Sequence, residues 1–211
     1  MGTNIDRADW HYSAGNYPGD LPPENGGTHI GMYLAWIVHH GLGSAMLQKY
    51  ARDSLPLLRE RKVTGRQLLF SELDEKLFYS LLTKVGKDFT RVYYDDTGCY
   101  LADYEGVLGE GLPTLYHVED SWENYDKLAT AIDQRFFRWQ QGEQPPMSPE
   151  LAAFRQAEEE YFEVIAEAAR KLSTDPAGAV AALERYLAGE PLDAFRAQAL
   201  KELEAVRAKL R

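Results

Sequence analysis

The longest apolar run in this chain covers residues 30–38, about half of the ~20 residues a helix needs to cross a bilayer. A stretch so short and so apolar belongs inside a folded protein. Its punctuation says what it forms there. Thr28 stands where an N-cap belongs, Ile30, Tyr33, Leu34, Ile37 and Val38 carry the run, and Gly41 stands where a left-handed residue closes a helix. The first constraint on the fold is therefore an apolar helix around which other elements pack.

The flanking segments follow from their breakers and periods. Residues 1–27 are dense in turn signals (Gly15-Asn16, Pro18-Gly19, Pro22-Pro23, Asn25-Gly26-Gly27) and read as an irregular arm, pinned by Trp10, Tyr12 and Tyr17. Ser44 opens an amphipathic segment through Met46, Leu47, Tyr50 and Leu55 that Pro56 ends or kinks. Thr64 caps a short helix through Leu68, Leu69 and Phe70, and a further helix is expected over residues 73–82. From Phe89 the period changes. Residues 89–94 and 99–104 are rich in β-formers and flank Asp95-Asp96-Thr97-Gly98, a good hairpin loop, and residues 115–118 read as a third strand. Asp120 with Glu123 forms a capping-box variant before a helix through Trp122, Tyr125, Leu128, Ile132, Phe136 and Trp139. Residues 142–148 read as a linker. Ser148-Pro149 and Asp175-Pro176 each place proline just inside a helix start, while Gly189 and Pro191 separate a third helix. The expected class is α+β: residues 1–141 mostly helical with a small antiparallel sheet, and residues 148–211 a three-helix C-terminal extension.

Charge is distributed unevenly. Asp95, Asp96, Asp103, Glu105, Glu110, Glu119, Asp120, Glu123, Asp126 and Asp133 face a single base, Lys127, and this segment holds almost all of the chain's net charge of −10. Such a belt repels nucleic acid and anionic lipid and attracts a cationic partner. Tyrosines and Trp122 are interleaved with the acids, as in interfaces that pack with aromatics and steer with charge. Three readings of the belt stand: a protein-docking surface, a solvated face, and a cation site at Asp95-Asp96, whose spacing does not match an EF-hand. The docking residues expected are Tyr94, Asp95, Asp96, Asp103, Tyr104, Glu105, Glu119, Asp120, Trp122 and Glu123.

Catalytic and cofactor signatures are sparse. His11, His29, His39, His40 and His117 include no pair at i, i+4, and the lone Cys99 can build neither a disulfide nor a structural zinc site. No catalytic residue, metal or cofactor is expected. The first ten residues have no apolar signal segment, and Asp6 occupies the position where a myristoylation signal wants Ser or Thr. A reducing cytoplasm is the expected location.

Asp9-Trp10-His11-Tyr12, Gly19-Asp20, residues 21–36 (LPPENGGTHIGMYLAW) and His40-Gly41-Leu42, with the later Tyr116-His117-Val118-Glu119-Asp120-Ser121-Trp122, resemble the signature of a bacterial family of small, soluble, cytoplasmic proteins. The resemblance covers about residues 9–140. Similar proteins are encoded beside secreted antibacterial toxins, which implies an immunity protein that binds a cognate toxin with a basic surface, such as a nuclease, and binds neither nucleic acid nor membrane. Two rivals stand beside it. One is an adaptor built on the C-terminal helices; the other is an enzyme with its site around His11, Asp20, Glu24 and His29.

Overall fold

The computed structural model describes residues 3–209, which fold mainly as helices and divide into two compact units at Ser148/Pro149. In the first, β1 (Asn4–Arg7) leads into α1 (Ala8–Tyr12), and a 3-10 turn (Pro23–Gly27) into α2 (Thr28–His39). Then come α3 (Ala45–Tyr50), α4 (Ser54–Arg59), α5 (Gly65–Glu72), β2 (Lys76–Phe78) and α6 (Lys84–Thr90). A π-helical segment (Arg91–Asp96), α7 (Cys99–Leu108) and α8 (Trp122–Gln140) complete the unit. The sheet has two antiparallel strands, β1 and β2.

The apolar run is the axis of this unit. Every residue of α2 from Thr28 to Val38 is buried. Gly41, at φ +65°, closes the helix with a Schellman motif, its N–H reaching Val38 O and that of Leu42 reaching Ile37 O. Helix α5 crosses α2 with backbone nearly touching backbone: a Cβ on Gly31 would strike Arg66, and one on Gly65 would strike the Gly31 carbonyl. Aromatic rings fill the space on the other side. Trp36, Tyr33, Phe89, Tyr93, Tyr100 and Tyr104 are fully buried, and burying a large apolar side chain of this kind contributes about 1.5–3 kcal/mol.

Several expectations are corrected here. The sheet lies in the N-terminal arm and residues 76–78, not in residues 89–118, whose regular elements are all helical. The β-rich composition of that segment reflects aromatics needed for the core, and burial overrides their β preference. The expected helix over 73–82 does not form: Asp74 and Glu75 adopt positive φ and turn the chain into β2, and a 3-10 turn follows at Tyr79–Leu81. Pro56 sits in the first turn of α4, where its missing N–H costs nothing. Thr28 is the first residue of α2 rather than its cap and accepts a hydrogen bond from Arg66. Ser121, not Asp120, caps α8, accepting from Asn124 N–H. The Ser44 and Thr64 caps are formed, the latter as a complete capping box with Gln67.

The second unit contains α9 (Pro149–Lys171), α10 (Pro176–Ala188) and α11 (Asp193–Lys209). Ala168, Ala179, Leu183, Leu203 and Val206 form one buried cluster, and Tyr161, Phe195 and Ala199 another. Asp175 caps α10 by accepting from Gly178 N–H at 2.9 Å.

Candidate functional site

Adjacent residues of a regular strand face opposite sides, yet Ile5 and Asp6 are both buried, at 7% and 6% exposure. An irregularity between Asn4 and Asp6 in the β1–β2 register explains this, because a bulge lets two consecutive side chains enter the core. It turns inward a carboxylate that regular alternation, with Ile5 facing the core, would have left on the opposite side.

Four donors saturate that carboxylate. Oδ1 accepts from the Arg7 N–H at 2.7 Å and pairs with His11 Nε2 at 2.9 Å. Oδ2 accepts from the Tyr94 hydroxyl at 2.6 Å and pairs with His29 Nε2 at 3.1 Å. The imidazoles meet edge to face, centroids 4.4 Å apart. His11 Nδ1 lies 3.4 Å from the Tyr116 hydroxyl, and Tyr116 packs on Tyr17. The cluster thus joins β1, α1, α2, the π-helical segment and the turn before α8. Its helical neighbours are fixed as well: Tyr100 donates to the His29 carbonyl, and Asn25 Nδ2 donates to that of Tyr116.

Electrostatically the cluster is unusual. Burial alone would raise the Asp6 carboxyl, but the bonds from His11 and His29 outweigh it and hold the group well below the usual carboxylate range. Among the described residues no lysine or arginine pairs with Asp6: Arg7 turns to Asp9, and Arg66 to Asp120. Burial lowers the His29 imidazole against the pull of Asp6, and burial beside Asp6 raises the Tyr94 phenol far above its ordinary value. The ligand-type atoms of Asp6, His11 and His29 all lie within 4.8 Å of one another. Two imidazoles and a carboxylate so placed can relay a proton or hold a metal ion.

Of the enzyme-site residues expected from sequence, His11 and His29 are brought together. Asp20 and Glu24 are exposed and join no part of the cluster among the described residues. Asp6 was missed because nothing local marks an acid in a short strand as inward-facing; only the bulge does. Cys99 lies buried on α7 rather than on a strand, and burial next to Asp103 pushes its thiol up to about 11.

The acidic belt is partly consumed inside the fold. Tyr94 and Tyr104 are core residues, 6% and 1% exposed, so neither serves as a docking anchor. Asp103 accepts a bidentate bond from Arg135 at 2.8 and 2.9 Å and another from Tyr93. Asp120 binds Arg66 and the Thr64 hydroxyl. Both acids hold helices together and are not free for a partner. Asp95 accepts from the Tyr79 hydroxyl, Glu123 pairs with Lys127, and Trp122 lies half-buried under Arg61. Asp96, Glu105, Glu110 and Glu119 remain exposed and without an ion pair among the described residues. Near them in sequence, on α7 and in the loop after it, Leu101, Val107 and Leu112 are also exposed.

A family model described as a domain of unknown function, DUF7832, matches residues 4–118. The matched segment contains Asp6, His11, His29, Tyr94, Tyr116 and all of α7, and stops before α8 and the second unit. Comparison with curated proteins and with solved structures yields no match.

Proposed function

The chain belongs to the DUF7832 family, a membership that carries no activity with it, and from its surface we propose that it is an immunity protein. On this reading it acts in the cytoplasm and neutralises a cognate secreted antibacterial toxin by covering a basic surface. The observation that carries the reading is the acidic, base-free stretch around α7. No lysine or arginine occurs between Arg91 and Lys127, and Asp96, Glu105, Glu110 and Glu119 are exposed without an ion pair among the described residues, in the same stretch of sequence as exposed Leu101, Val107 and Leu112. Unpaired surface carboxylates accelerate encounter with a cationic partner, and apolar side chains among them slow its release. Among the described residues no helix is long and apolar enough to cross a membrane. If the toxin is a nuclease, its phosphate-binding cleft supplies the complementary charge.

The test is calorimetric titration of the full chain against the protein encoded by the neighbouring gene, at low and at physiological salt. Tight, salt-sensitive binding is expected. The triple variant D96K/E105K/E110K should bind at least about a hundredfold more weakly, with the fold intact by circular dichroism. Absence of binding, or undiminished binding by the variant, rejects the proposal.

A second reading, an enzyme, is favoured by the Asp6–His11–His29 cluster. A partly exposed imidazole oriented by a buried carboxylate has the geometry of a general base. An activity that survives the triple reversal and disappears in His11→Gln would support this reading over the first.

A further inference from the structure

We propose that Asp6, His11 and His29 form a binding site for one divalent first-row transition-metal ion of the zinc, cobalt or iron class. Two imidazole nitrogens with one carboxylate is a donor set that such ions favour and that magnesium and calcium, which prefer all-oxygen shells, do not. The three side chains converge from β1, α1 and α2, with their donor atoms mutually within 4.8 Å and the imidazoles roughly perpendicular, at 78°. Each histidine addresses a different oxygen of Asp6, at 2.9 and 3.1 Å. An ion seated among them would replace the two Nε2–H···O contacts with three bonds to itself, one from each side chain.

The surroundings suit that exchange. The Arg7 N–H and the Tyr94 hydroxyl would stay on the carboxylate as outer hydrogen bonds, the support that metal-ligating carboxylates usually have. Freeing Nε2 of His11 shifts its proton to Nδ1, and the Tyr116 hydroxyl facing Nδ1 can accept as readily as it donates. The ion would also provide the positive charge that no lysine or arginine among the described residues brings to this buried carboxylate. Access is from the His11 side, where that side chain is 22% exposed, against 7% for His29 and 8% for Asp6. Unlike the docking proposal, this site owes nothing to the acidic face and stands or falls separately.

The experiment uses the full chain, stripped with chelator and titrated with cobalt(II) chloride, with zinc sulfate as competitor. One equivalent of cobalt should bind with visible d–d absorption, and zinc should displace it. His11→Gln, a change at a partly exposed position, should weaken binding by about a hundredfold or more, while His117→Gln should bind as the unaltered chain does. X-ray absorption of the zinc-loaded unaltered chain should show two imidazoles and oxygen in the coordination shell. Failure of the unaltered chain to bind at 1:1 stoichiometry at ~100 μM metal, equal binding by His11→Gln, or a shell without imidazole overturns the proposal.

Discussion

Asp6, Asp103 and Asp120 show how a residue's meaning changes with its partner. All three are withdrawn from solvent to bind side chains remote in sequence: Tyr94 at 88 positions, Arg135 at 32 and Thr64 at 56. An internal hydrogen bond to a charged group contributes about 1.5–3 kcal/mol, and leaving such a group buried without one costs more. The same reasoning applies to Cys99. It opens α7 with Asp103 one turn on, and its thiol is raised from 9.0 to about 11 by burial first and by that carboxylate second. Because the raised group stays protonated until the pH nears 11, reaction of the native chain with a thiol reagent should be slowed about a hundredfold relative to the unfolded chain at pH 8. The native rate should still be climbing between pH 9 and 10. Stopped-flow labelling with a disulfide reagent reads both, and a plateau near pH 9 contradicts the assignment.

At the scale of elements, caps and stops were readable where the signal is local. Ser44, Thr64 and Asp175 cap the helices that follow them, and Gly41 takes the left-handed conformation expected of it. Each depends on backbone groups within three or four positions, which is why it could be read from neighbouring residues. The packing of α2 on α5 could not be. Gly31 sits inside an apolar helix, where glycine costs about 1 kcal/mol relative to alanine from propensity alone, and its presence is explained only by the Gly65–Arg66 backbone lying against it. Gly31→Ala should therefore destabilise the protein by about 3 kcal/mol even though it improves helix propensity. Urea denaturation measures this, and a neutral or stabilising result would show that the crossing can relax.

For the whole molecule, the two units have separate cores. The large cluster running from Ile5 to Ile132 shares no residue with the clusters of α9–α11. Residues 1–148 should therefore fold without the rest and unfold cooperatively. On the immunity reading they should also keep the partner that an adaptor built on α9–α11 would lose. Thermal melting followed by circular dichroism, then the same calorimetric titration, tests both points; a truncated chain that melts without cooperativity refutes the first.

The mostly helical α+β class, the short sheet, the buried helix at residues 30–38 and the proline- and glycine-marked helix ends followed from residue order alone, because capping, turn chemistry and apolar runs act over a few positions. The location of the sheet, the fate of the acids and the His–Asp cluster did not. Tyr93, Tyr94, Tyr100 and Tyr104 read as strand residues by propensity, yet they are helical core, since burial of their rings outweighs a local preference worth at most about 1 kcal/mol. Asp6 meets His11, His29 and Tyr94 only because a bulge in a two-stranded ladder turns it inward. Pairing in that ladder joins residues some seventy positions apart, a contact that tertiary structure alone could bring about.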